Sequence, residues 1–368
     1  MSRKVALGGI ILLGFALRLF HLNTVALRGD EAFTVIHWMR EPLAQTLANI
    51  ATVDPQAPLS YALYRGWALV LGSNEIVVRF LPALVSILGI PAMYALGHRL
   101  RGARLGLLAA FVWAINPYQI YHAQDARSYA VWAALSLIAI WLALRALDKQ
   151  RRIDWLLYIA AGALAAYVYY LELFIILALN LYVFATRWRD RPLLARWLGA
   201  EIAIGLLLAP WYLQPRLLFS SGYGGTAGQF APPQLLTRFI PTLTFSTPDK
   251  LPPDTALALA AVLGIALLVG LAVWWRRNRG QALLVGLLGT LPAPARHRVD
   301  PAERFRATLC WAQPRRYVLI LCALVVSLRE TLGGWQRSTG ESACSSCPAT
   351  ISCLTMRSLL TGGRWRRT

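Results

Sequence analysis

The chain alternates long apolar stretches with short polar or basic turns. Val5 to His21, Phe80 to Gly97, Leu105 to Tyr121, Tyr129 to Leu147, Trp197 to Leu213 and Thr255 to Trp275 are each nearly continuous in apolar residues. At ~1.5 Å per residue, runs of ~17–21 residues cross a ~30 Å hydrocarbon core. Ile153 to Ala185 is too long for one crossing. It splits near Tyr170-Leu171-Glu172, because a charged Glu172 is tolerated at a turn and costly in mid-helix. A further span starts near Gln281. The pattern predicts an all-α, polytopic transmembrane helical bundle.

Charge sets the topology. Basic residues cluster in the turns: Arg3 and Lys4, then 98–104, 149–152, 187–196 and 276–279. The positive-inside rule puts these in the cytoplasm, with the N-terminus. One segment decides whether this works. Leu59 to Leu71 is apolar but short, with Arg65 in its middle. If it crosses, every later cluster is inverted. If it lies in the interface, all clusters fall inside, so we expect an external interfacial helix. Residues 23–79 then form a first external loop, with a short helix from Asp30 to Met39, a break at Glu41-Pro42, another turn or two from Leu43 to Ile50 and a turn at 54–58. Gln214 to Asp254 forms a second, rich in Gly, Pro, Ser and Thr, which fits either a lid or a plain connector. The first apolar run lacks a small-residue cleavage site, so a retained span is expected rather than a signal peptide.

Composition agrees. Of 368 residues, 57% are hydrophobic and 15% charged, against about 25% charged in soluble domains. Mean hydropathy is +0.50. The net charge of +20 would suit nucleic acid in a soluble protein. Its confinement to turns between spans makes it a membrane-topology signal instead, and no nucleic-acid partner is expected. From about Leu291 the periodicity fades and the text turns rich in Arg, Cys, Ser and Thr. Residues 1–290 therefore read as a core and 291–368 as an atypical tail, truncated, rearranged or read in a shifted frame. All five cysteines lie in that tail. Cys344-Ser-Ser-Cys347 has redox or metal spacing, but a single pair is weak.

The external face collects chemistry. Arg28, Asp30, Glu31 and Asp54 share the first loop, Gln124, Asp125 and Arg127 follow the third span, and Glu172 sits at the next external turn. Carboxylates and arginines on one side suit acid/base work on a phosphate-bearing substrate. The isolated external arginines Arg28, Arg40, Arg65, Arg79, Arg127, Arg216 and Arg238 lie where an anionic ligand would meet them. Structural alternatives stand beside each reading. Asp30 and Glu31 also fit a helix N-terminus. Arg127 also fits snorkelling or a pair with Asp125, and Glu172 an interfacial turn. His37 and His122 lack metal-ligand spacing.

Arg28-Gly29-Asp30-Glu31-Ala32-Phe33-Thr34, with Asp54-Pro55-Gln56-Ala57-Pro58-Leu59-Ser60-Tyr61, resembles the first external loop of GT-C glycosyltransferases. The nearest group is that of protein O-mannosyltransferases and lipid A aminoarabinose transferases. Tyr121-His122-Ala123-Gln124-Asp125-Ala126-Arg127-Ser128-Tyr129 resembles a second signature of that group. The resemblance covers roughly residues 5 to 190. It implies a GT-C bundle with a helical first external loop in the plasma (inner) membrane, and a hexosyl- or pentosyltransferase active on the extracytoplasmic side. The donor would be a polyprenyl-phosphate-linked sugar held among membrane lipids, the acceptor a hydroxyl on protein, lipid or glycan, with inversion at the anomeric carbon. Asp30 maps onto the family's catalytic aspartate, with Glu31 beside it as the second catalytic carboxylate. Arg28, Asp54, Gln124, Asp125, Arg127, Tyr129 and Glu172 are the expected substrate-binding residues, Arg127 first and Arg28 second for the phosphate. No cofactor is implied beyond an optional divalent metal. Relatives carry His-Pro-Pro-Leu-Tyr where this chain has Gln56-Ala57-Pro58-Leu59-Ser60, and Gln56 does not titrate. The rival reading is a transporter or flippase of lipid-linked saccharides. That would show internal repeats and mid-span ionisable groups, and no clear repeat is visible.

Overall fold

A computed structural model of the chain describes residues 2–24, 26–49, 57–214 and 253–290. The tail from 291, the bulk of the second external loop and the 54–58 turn up to residue 56 lie outside the described residues. All regular structure among the described residues is helical.

The helices are α1 (Arg3–Leu19), α2 (Gly29–Phe33), α3 (Leu43–Asn49), α4 (Pro58–Leu71), α5 (Glu75–Ser86), α6 (Gly89–Arg101), α7 (Ala103–Ile115), α8 (Pro117–Ala123), α9 (Tyr129–Lys149), α10 (Arg152–Val168), α11 (Glu172–Arg187), α12 (Arg191–Tyr212), α13 (Pro253–Arg277) and α14 (Arg279–Thr290). A π-helix, Thr34–Arg40, continues α2. Three segments among the described residues are long and apolar enough to cross a membrane: Glu75–Arg101, Tyr129–Lys149 and Arg191–Tyr212. The protein is a multi-pass membrane bundle.

Helix α9 is its axis. It is apolar on all sides and buried along most of its length, as a helix enclosed by others must be. Helices α6 and α7 form a tight hairpin. Gly102 turns the chain at φ +84°, in the left-handed region that glycine tolerates. Above the turn the backbones touch: a Cβ on Gly106 would lie 2.7 Å from the Tyr94 carbonyl oxygen.

Several boundaries differ from expectation. The second span starts earlier, at Glu75, and is broken at Ile87-Leu88. The third stops at Ile115, because Pro117 cannot continue it and Asn116 caps α8 by accepting from the Gln119 amide. The long run 153–185 does split at Tyr169–Leu171. Helix α4 stays at one end of the bundle. At its start Ser60 Oγ donates to the Val168 carbonyl at the end of α10 (2.6 Å). Past its end, Ser73 accepts from Arg40 of the first loop (3.2 Å). With 14 residues it spans only ~21 Å.

Candidate active site

The first loop is drawn onto α5 and the second motif by its apolar residues. Val35 and Trp38 of the π-helix, Tyr61 and Tyr64 of α4, Val78 and Leu81 of α5 and Ala126 form one buried cluster, with Trp211 of α12 against it. The π-helix has a reason in this packing. Its wider turn puts Thr34, Val35, Trp38 and Met39 inward together, and such turns recur at functional sites.

At the centre stands Glu31, fully buried. Arg79 of α5 holds it bidentately, Nε to Oε1 at 2.8 Å and Nη2 to Oε2 at 2.7 Å. The amide of Arg28 donates to Oε2 (3.0 Å) and that of Ala126 to Oε1 (3.1 Å). Arg79 also donates to the carbonyls of Leu22 and Ala26. Burial alone would raise this carboxyl. The hydrogen bonds from Arg79, Arg28 and Ala126 outweigh it and bring the pKa down to about 2. Glu31 was expected to share the catalytic role. It is instead enclosed and saturated with donors, so it is an anchor with no open lone pair for a substrate proton. Arg79, expected to meet an anionic ligand, meets Glu31.

Around this anchor the two motifs meet. Arg28, half-buried, lies over the Tyr121 ring (4.6 Å to its centroid), donates to the Tyr121 hydroxyl and stands 3.8 Å from Asp125 Oδ1. Burial opposes its charge, but Asp125, Tyr121 and Glu31 raise its pKa. Asp125 Oδ2 is 3.8 Å from His122 Nδ1. Burial, then the charge of Arg28, lowers the His122 pKa to about 3, so the ring is neutral. Arg127 is buried, its guanidinium 5.1 Å from the Trp38 ring centroid and 6.0 Å from that of Tyr129. Its carbonyl accepts from Tyr64 (3.1 Å). Tyr129 stands edge-on to His122 and to Tyr169.

Two expected ligand residues face elsewhere. Gln124 donates to the carbonyls of Arg18 and Phe20, tying the second motif to the end of α1. Glu172 is buried and accepts from Trp132 Nε1 at 2.7 Å, joining α11 to α9. Burial here turns an expected surface carboxylate into a helix–helix tie. The helix containing Asp30 is described, but its side chain and all of Asp54 lie outside the described residues. Sequence reasoning missed the pairing of Arg79 with Glu31 and the site positions of Trp38 and Tyr64. Only the Trp38 position, apolar within a polar loop, carried a visible signal. Among the described residues no three His, Cys, Asp or Glu side chains converge, and the site carboxylates Glu31 and Asp125 face arginines.

Residues 55–213 match the family described as dolichyl-phosphate-mannose-protein mannosyltransferase. The match contains Arg79, the second motif and Glu172, and begins after Asp30. No curated protein matches the chain. Among solved structures, the oligosaccharyltransferase of Archaeoglobus fulgidus in its apo form is similar at 14% identity and TM-score 0.55, over 98% of this chain and 54% of that one. ArnT from Cupriavidus metallidurans bound to undecaprenyl phosphate is similar at 15% identity and TM-score 0.49, over 87% of this chain and 58% of that one. The chain thus spans little more than half the length of either. The first of these similarities gives the fold, a GT-C membrane bundle.

Proposed function

We propose that this chain, a GT-C and mannosyltransferase-like membrane protein, transfers a sugar from a polyprenyl-phosphate donor to a hydroxyl acceptor. The reaction is on the extracytoplasmic side of the plasma membrane, the N-terminus is cytoplasmic, and the anomeric carbon is inverted. One observation carries the reading. Glu31 binds Arg79, the Arg28 amide and the Ala126 amide at once. The residue before it, Asp30, is thereby held next to the segment that carries Arg127.

Asp30 is the base in this mechanism. As the acceptor oxygen attacks the anomeric carbon, Asp30 takes its proton. The bond from that carbon to the phosphate oxygen breaks, and the lipid phosphate leaves with an added negative charge. A guanidinium stabilises this charge best in a dry, fixed setting. Arg127, buried beside Trp38 and Tyr129, is assigned that role, and half-buried Arg28 the outer phosphate contact. The family description supports a polyprenyl-phosphate-linked sugar as donor.

The transporter reading draws on one residue, Glu201 in the middle of α12. Its carboxylate accepts from Tyr158 of α10 (2.6 Å) and Asn180 of α11 (3.1 Å). It thus ties three helices together, which supports a structural role over a conduction path.

The test is release of polyprenyl phosphate by the purified protein, given a panel of polyprenyl-phosphate sugars. Asp30→Asn keeps the shape and removes the base, so it is expected to abolish release while donor binding persists. Turnover at the parent rate would overturn the assignment.

A further inference from the structure

The end of the bundle opposite the candidate site is held together by contacts between turns. Arg99 pairs with Asp148. Arg196 donates to Gln150 Oε1 (2.9 Å), and Gln281 to the Leu100 carbonyl (3.4 Å). These contacts gather the basic turns 99–104, 148–152, 187–196 and 276–281 on one face. Arg104, Lys149, Arg151, Arg187, Arg196 and Arg276 are all exposed there. The two exposed carboxylates among the described residues of this face are already engaged. Asp148 faces Arg99, and Asp190 accepts from the Leu193 amide at the start of α12.

At the rim of this face lies a shallow, open apolar groove of about 390 Å³, lined by Leu268, Leu271, Ala272 and Trp275 of α13 with Arg276 at its end. The four apolar positions follow the spacing of one helix face. Leu271 meets α14 at Gly286, where a Cβ would lie 3.8 Å from Leu271 Cδ2. Trp275 is 46% exposed, the position of an interfacial tryptophan at headgroup level. A second exposed tryptophan, Trp188 at 63%, sits in the turn after α11 with Arg189 stacked 4.9 Å from it.

We infer that this groove binds an anionic phospholipid, one acyl chain along Leu268–Trp275 and the phosphate on Arg276. Charge complementarity selects the ligand. A zwitterionic lipid would fill the apolar part equally well but would bring a second cation to a face already crowded with them. A basic pocket beside membrane helices is a setting in which acidic headgroups are held.

The test uses the full chain reconstituted in vesicles of phosphatidylcholine mixed with phosphatidylglycerol. Native mass spectrometry then reads the lipids that stay bound after extraction. Phosphatidylglycerol is expected to be retained about fivefold over its share in the vesicle, the preference one arginine near the surface confers. Arg276→Gln should bring retention close to parity. Leu271→Trp should fill the groove and remove the bound lipid of either type. Added inorganic phosphate should leave retention unchanged, since the acyl chain holds the lipid. Equal retention of the two lipids by the parent protein overturns the proposal without any variant. So does an unchanged preference in Arg276→Gln, or a groove found covered by a second copy or by another segment of this chain.

Discussion

Arg79 and Glu31 lie 48 residues apart in the chain and form a bidentate pair, both buried, at 2.7 and 2.8 Å. The pair fastens the first loop to α5, and through the Ala126 amide to the second motif. Removing one partner of such a pair leaves an uncompensated buried charge, which costs about 3–5 kcal/mol. Arg79→Ala is therefore expected to lower the melting temperature sharply and to uncouple the first loop. Glu31→Leu combined with Arg79→Met should cost much less than the sum of Glu31→Leu and Arg79→Met made singly, because neither charge is stranded. Thermal unfolding of the purified variants measures this. Additive losses would mean that the pair is not a unit.

Acid should loosen the site in two stages. The His122 ring stays neutral in the fold down to about 3, against an ordinary 6.5. The unfolded chain therefore takes up this proton first, and stability falls as pH drops from 6.5 towards 3. Glu31 titrates near 2 in the fold, against an ordinary 4.5. Its contribution, on the order of 3 kcal/mol, is complete above 4.5 and lost as pH falls to 2. A melting-temperature profile in pH reads both stages. His122→Phe should flatten the upper stage relative to the parent. An identical slope between 6.5 and 4.5 in both proteins would contradict the neutral burial of His122.

Much of this arrangement is legible in the sequence, for identifiable reasons. Apolar runs and basic turns located the helices because the membrane imposes one period and one length on all of them. Glu172 marked the turn between α10 and α11, since a charge cannot be left unpartnered in mid-span. The same charge logic misplaced its side chain, because Trp132 supplies a partner that sequence spacing does not reveal. The break at Asn116-Pro117 was visible as a proline and was outweighed by the apolar run around it. The π-helix had no signal, as its hydrogen-bond register is set by packing rather than by residue type. Arg79 was one isolated arginine among seven. Its link to Glu31 exists only once α5 folds against the first loop.

The α6–α7 hairpin depends on the absence of side chains where its backbones touch. Gly106→Ala places a methyl 2.7 Å from the Tyr94 carbonyl, and neither backbone can yield without opening the hairpin. A loss of about 1–3 kcal/mol is expected. Gly199→Ala is the control, since nothing lies within 4 Å of its Cβ. It should be neutral or slightly stabilising, as alanine favours the helix. Equal effects of the two substitutions on thermal stability would remove close packing as the reason.

Arg127 separates the phosphate role from simple anchoring. Its guanidinium stands beside Trp38 and Tyr129, and in the proposed mechanism it gives the leaving phosphate two parallel hydrogen bonds. Lysine keeps the charge but neither the plane nor the paired donors. Arg127→Lys is therefore expected to fold normally, bind the donor with a modest rise in KM and lose about 10²-fold in kcat. Arg127→Gln should lose more, and its loss should appear in the step that frees the lipid phosphate rather than in donor binding. Single-turnover release of polyprenyl phosphate distinguishes the two. A fall confined to KM, with kcat intact in both variants, would make Arg127 a docking residue and return the leaving-group role to Arg28.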